Sequence, residues 1–173
     1  MEFLKSIQAD IMIFLSAICG IMALFVHLTE TMSKTRRKAL MLLEFSAMFL
    51  MIADRQAYLA RGDTSTLGWW IVRISNFLVF FLVLVAMYAL NIYLNDLFTH
   101  EGKLDAVPKR LKATKILVLA GMALVVISQF TGLYYTFDEM NRYQRAPGLS
   151  SATRFPLSFC YCKCRLLSSI ADG

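Results

Sequence analysis

The stretch Asp54–Phe77, DRQAYLARGDTSTLGWWIVRISNF, decides how this chain is read. A short polar turn, Arg61–Gly68, separates two long apolar segments, with Gly62, Asp63 and Gly68 as its breakers. Three charges, Asp54, Arg55 and Arg73, lie inside the apolar segments instead of in the turn. Segments joined by so short a turn are expected to pack as antiparallel neighbours. An ionisable group inside an apolar, membrane-length segment costs a few kcal/mol, so each must pair, reach for water or line a wet cavity.

Outward from this stretch, four apolar runs organise the chain. Ile11–Leu28 has 18 residues without Asp, Glu, Lys or Arg. That suffices to cross a hydrocarbon core of ~30 Å at ~1.5 Å per residue. Ala39–Ala60 is interrupted by Glu44, Asp54 and Arg55, while Trp69–Leu94 opens on a Trp pair suited to the headgroup boundary. Ile116–Phe137 is uncharged and ends in Tyr134 and Tyr135. Open sheet edges cannot face lipid, so the runs are read as helices. The expected fold is all-α: an integral membrane bundle of four transmembrane helices at about 11–28, 39–60, 69–94 and 116–137. The hydrophobic share of 58% and mean hydropathy of +0.57 exceed those of ordinary soluble domains, which are about 45–50% apolar. The N-terminus, with Glu2, Lys5 and Asp10, lacks the basic region of a cleaved signal peptide.

Loop charge orients the bundle. The connectors Thr29–Lys38 and Asn95–Lys115 together hold nine basic residues, against four on the other side. The positive-inside rule then places the N-terminus outside and both basic connectors in the cytoplasm. The same placement accounts for the net charge of +6 without nucleic acid. Pro108 argues against one continuous helix through the second connector.

Little points to chemistry. Cys19 lies in an apolar run, and Cys160, Cys162 and Cys164 form a C-x-C-x-C without the second pair that zinc sites use. No metal, cofactor or catalytic residue is therefore expected. His27 and His100 both fall on the cytoplasmic side, so they cannot sandwich a haem within the bilayer. HExxH, GxSxG and P-loop motifs are missing from the sequence.

The candidate site lies near the outer face. Asp54 is six residues before Ala60 and Arg73 four after Trp69, roughly 9 Å and 6 Å of helix rise, so Asp54, Arg55 and Arg73 share a depth. An Asp54–Arg73 ion pair is the expected contact. Arg73 and Asn91 are five turns apart on one face of the third helix, with Asn76 close to it. On the functional reading, Asp54, Arg55, Tyr58, Arg73, Asn76, Tyr134, Tyr135 and Asp138 line an outward-facing pocket for an unknown small ligand. On the competing reading, the charges staple two helices and the tyrosines form an aromatic belt. Glu44, near the inner end of its helix, is read as interfacial.

After Asp138 comes EMNRYQRAPG, a compact polar turn, and from Leu149 to Gly173 the chain is Ser- and Cys-rich with no run of spanning length. This break reads as a change of reading frame. An irregular tail is expected over 149–173, on a truncated or frameshifted front part of a longer membrane protein.

Met41–Phe81 resembles the multi-helix membrane input region that precedes GGDEF diguanylate cyclase or histidine kinase domains in bacterial signalling proteins. The resemblance rests on D-R-x-A-Y-x-x-R-G-D at Asp54–Asp63, W-x-V-R-I-S-N-F-L-V-F-F at Trp70–Phe81 and N-R-Y-Q-R-x-P-G at Asn141–Gly148. It extends over roughly Ile11–Gly148. It implies a sensory or anchoring module in the bacterial inner membrane, without its cytoplasmic output domain and without enzymatic activity in this chain. Its partners would be the lipid bilayer and an outside signal, with a homodimer as one possible assembly. The alternatives are a small transporter or channel subunit, or a purely structural membrane protein.

Overall fold

The computed structural model describes residues 2–100, 109–131, 135–137, 141 and 143–145. Four helices follow one another: α1 (Glu2–Leu28), α2 (Lys34–Leu59), α3 (Thr66–His100) and α4 (Lys109–Thr131). A short antiparallel hairpin of β1 (Tyr135–Phe137) and β2 (Tyr143–Arg145) comes next, pairing Tyr135 with Arg145 and Phe137 with Tyr143. The extensive interfaces run in chain order, α1 on α2, α2 on α3 and α3 on α4.

Each boundary has a local cause. Ser33 caps α2 by accepting the Arg36 N–H at 3.2 Å. α2 stops at Ala60, and Gly62 then takes φ +89°, a left-handed conformation that suits glycine. Asp63 Oδ1 accepts the Ser65 N–H at 2.9 Å, and Ser65 Oγ accepts the Gly68 N–H at 3.0 Å, which opens α3. Gly68 is required by space: a Cβ there would lie 2.5 Å from Asp63 Cγ. α4 starts directly after Pro108 in the sequence, a place where a missing N–H costs a helix nothing.

All four helices differ from the expected bounds: α1 begins at Glu2 and α2 at Lys34, nine and five residues earlier than expected. α3 continues through Asn95 and Asp96, read from sequence as loop, because Asp96 finds partners across on α2 and the Asn95 amide N–H finds one along α3, although Asn95 Oδ1 is buried without a hydrogen-bond partner among the described residues. Asn95 Nδ2 donates to Asn91 Oδ1 at 3.1 Å, and Thr99 Oγ1 to the Asn95 carbonyl at 2.8 Å. α4 begins seven residues earlier than expected and ends at Thr131, so Tyr135 lies on a strand and not on a helix. The tail 149–173, with its three cysteines, falls outside the described residues.

The packing is inverted relative to a soluble protein. On α1 and α2 the buried positions are small and recur every seventh residue: Ala9, Ser16 and Ala23, and Ala39, Ser46 and Ala53. On α3 the same period joins Gly68, Ser75 and Ala89, and on α4 it joins Leu111, Val118 and Val125. A seven-residue repeat is the period of left-handed helix packing, and small residues let helix backbones approach where lipid supplies no hydrophobic drive. Large apolar side chains point outward instead, with Phe14 66% and Phe130 88% exposed. α1, α3 and α4 are each long and apolar enough to cross a membrane. The chain is thus a helical membrane protein.

Candidate functional site

Polar contacts gather at the two ends of α3. Between Arg73 and Asp96 the helix has 22 residues without a charge, about 33 Å of rise, close to the thickness of a hydrocarbon core. The two charges therefore mark the two boundaries of the apolar layer.

At the first end the α2–α3 turn, the start of α3 and the hairpin meet. Arg73 Nη1 donates to Asn141 Oδ1 at 3.1 Å, and Asn141 Nδ2 donates to the Asp63 carbonyl at 3.0 Å. One side chain thus ties the hairpin to both the helix and the turn. Asn141 is buried, 4% exposed, with φ 54°, a left-handed conformation that Asn tolerates better than most residues. The Arg73 guanidinium lies 3.8 Å from the Trp69 ring centroid and 4.5 Å from that of Phe137. A guanidinium between aromatic faces gains cation–π attraction where water is scarce. Phe137 also packs, with Phe77, Phe81 and Leu84, around Val125, so the hairpin shares the α3–α4 core. Asp63 is outside the apolar layer, and the Ser65 backbone N–H holds its carboxyl below the ordinary value.

The second end is a clasp between α2, α3 and α4. Asp96 Oδ2 accepts from Ser33 Oγ at 2.6 Å and from Arg36 Nε at 2.9 Å, while His100 Nδ1 lies 3.4 Å from Asp96 Oδ1. One turn inward, Asn91 Nδ2 donates to the Leu111 carbonyl at 3.1 Å and to Thr114 Oγ1 at 2.7 Å, joining α3 to α4. α2 and α4 start where α3 ends, so neighbouring helices run antiparallel, as read from sequence. Between α1 and α2, Ser16 Oγ donates to the Met48 carbonyl at 3.3 Å, and Glu44 lies near enough to Cys19 to act on it electrostatically. Glu44, read as interfacial, therefore faces α1.

The sequence-derived site is only partly assembled. Among the described residues the ion pairs involve Asp96, and Arg73 is held by Asn141 and two aromatic rings in place of Asp54. The reason is placement: the hairpin brings a neutral amide and Phe137 over Arg73, which covers the guanidinium. Asn76 turns back on its own helix, donating to the Val72 carbonyl at 2.7 Å. Asp54 and Tyr58 are half-buried on α2, and Arg55 Nε is buried without a hydrogen-bond partner among the described residues. Tyr135 is placed on β1, whereas Tyr134 and Asp138 lie outside the described residues.

Sequence reasoning missed Asp63, Trp69, Phe137, Asn141 and the Asp96 clasp. A signal did exist for the junction: Asp63, Arg73 and Asn141 belong to the three separate motifs quoted above, and the fold brings one residue of each together. Comparisons with known families, with curated proteins and with solved structures give no match.

Proposed function

We propose that this chain is a membrane-embedded input module of a bacterial signalling system, acting on an output unit such as a diguanylate cyclase or histidine kinase domain. The observation that carries the reading is the Arg73–Asn141–Asp63 junction. Hairpin, turn and helix are hydrogen-bonded together there through a single amide side chain, with Phe137 packed beside it, so an event at this end needs to break few hydrogen bonds. α3 continues from the junction to the Asp96 clasp, about 35 Å along one helix. A shift of α3 at one end is then felt by α2 and α4 at the other. The ligand-facing set would be Asp54, Arg55, Tyr58, Arg73 and Asn76, with Tyr134, Tyr135 and Asp138 from the hairpin segment. Arg55, with Nε uncommitted, is the group most open to a new partner.

The reading takes all four helices as spans, with the N-terminus outside and the inner membrane as location. Support for α2 as a span comes from its exposed stripe. Leu42, Phe45, Phe49 and Ile52 recur at three- and four-residue steps on one face, with Leu59 two turns further beyond Gln56, while α2 packs along both α1 and α3. A helix of 26 residues held between two membrane-length helices shares their environment.

The test places spin labels at Lys34 and Thr99, beside the clasp, in the full chain in lipid nanodiscs. Asn141→Ala at the far end should shift or broaden the distance distribution between them. An unchanged distribution in a folded variant would mean that the junction is only a staple, and the input reading would fail. Sequencing downstream of the Asp138 codon looks separately for the output domain.

A further inference from the structure

We propose that the outer face of α4 is a binding site for anionic phospholipid, with three lysines holding the headgroup and the apolar residues beyond them taking the acyl chains. Lys109, Lys112 and Lys115 lie at three-residue steps and are all exposed. The same exposed face continues into Ile116, Leu119 and Phe130. The opposite face, Leu111, Val118 and Val125, is the one that α4 buries.

No acidic residue occurs from Lys109 to Thr131, so nothing on α4 neutralises the lysines. Asp96, the carboxylate at this end of α3 among the described residues, is already engaged by Arg36 and Ser33. Lys115 is the deepest of the three, about 9 Å along the helix from Lys109, and its Nζ stands 5.8 Å from the Tyr88 ring centroid. A lysine ladder leading directly onto lipid-exposed apolar surface fits a phosphate that carries acyl chains better than a soluble polyanion, which has no use for the apolar half. This assignment needs only that the chain be embedded in a bilayer; it does not rest on the signalling role.

The experiment uses the full chain in phosphatidylcholine nanodiscs with spin-labelled phosphatidylglycerol or spin-labelled phosphatidylcholine, reading the motionally restricted lipid fraction. Wild type should prefer phosphatidylglycerol by roughly fivefold or more, the worth of one lysine near an anionic surface. Raised salt should reduce the preference. The triple change Lys109→Gln, Lys112→Gln and Lys115→Gln should bring it close to unity, while the corresponding Lys→Arg triple keeps it. Equal binding of the two lipids by wild type, or an undiminished preference in the Gln triple, overturns the proposal. So does displacement of the lipid by inorganic phosphate at matched ionic strength. Circular dichroism reports whether each variant folds. If the triple does not, Lys112→Gln alone should lower the preference, and an unchanged value overturns the site.

Discussion

Asn141 does two jobs at one position, and the two can be separated by substitution. Its amide joins Arg73 to the Asp63 carbonyl, and its backbone sits at φ 54°. Asn141→Gly keeps the backbone easy but removes both hydrogen bonds, which costs about 1–3 kcal/mol where the partners are left unsatisfied. Asn141→Ala removes the bonds and adds roughly 1 kcal/mol for a left-handed β-carbon. The expected order of thermal stability in detergent is wild type, then Gly, then Ala; an Ala variant as stable as wild type would contradict the junction. Arg73→Lys keeps the charge but loses the planar fork and the stacking on Trp69 and Phe137, with an expected loss of about 1 kcal/mol in the same assay. Arg73 was legible in the sequence because a charge inside an apolar run demands a partner. Its actual partner was not, since Asn141 is an uncharged residue in a polar turn 68 positions away. Asp54, charged and at matching depth, was the obvious but incorrect choice.

At the scale of elements, the existence of the four helices follows from apolar run length, while their ends follow from side-chain contacts that run length does not encode. α3 reaches His100 because Asn91, Asn95 and Asp96 find partners on their own helix, on α4 and on α2. The small-residue repeat went unread in the sequence, because Ala9, Ser16 and Ala23, or Ala39, Ser46 and Ala53, stand out at seven-residue spacing only once helix contact, and not core hydrophobicity, is the criterion. Overpacking this seam tests it: Ala53→Leu should cost about 1–3 kcal/mol, whereas Phe49→Leu on the exposed face of the same helix should be close to neutral in a thermal melt. The clasp is tested by Asp96→Asn, which removes the carboxylate that Ser33 and Arg36 share. A loss of about 1.5–3 kcal/mol is expected for hydrogen bonds to a charged group, and the charge swap Asp96→Arg with Arg36→Asp should recover part of it. The turn has its own acid dependence. The Asp63 carboxyl is held below its ordinary value by the Ser65 N–H. Its contribution is therefore complete above the ordinary Asp value of about 4 and is lost as pH falls through the lower folded value. Thermal stability measured against pH should show an acid-side decline below about pH 4 that Asp63→Asn reduces.

For the whole molecule, the decisive question is whether α2 crosses the bilayer with its neighbours. By composition α2 is the outlier, because Glu44, Asp54 and Arg55 interrupt it, and the three helices of clear spanning character do not include it. Packing argues differently. α2 is antiparallel to both α1 and α3, its small residues are buried, and its large apolar residues form an outward stripe. A helix lying on the membrane surface would turn a polar face to water; here the exposed face is Leu42, Phe45, Phe49 and Ile52, which belongs in lipid. Single cysteines at Thr31 and Thr64, in a background without the native cysteines, would lie at opposite ends of α2. With an impermeant maleimide on intact cells, Thr64→Cys should label and Thr31→Cys should label only after the membrane is opened. If both cysteines label alike, α2 does not cross. α1 and α3 would then cross in opposite directions, which their common antiparallel contact with α2 does not allow without unpacking the bundle. If the labelling is opposite but inverted, four spans stand and the outside N-terminus falls, since the nine basic connector residues would then face outward against the charge rule.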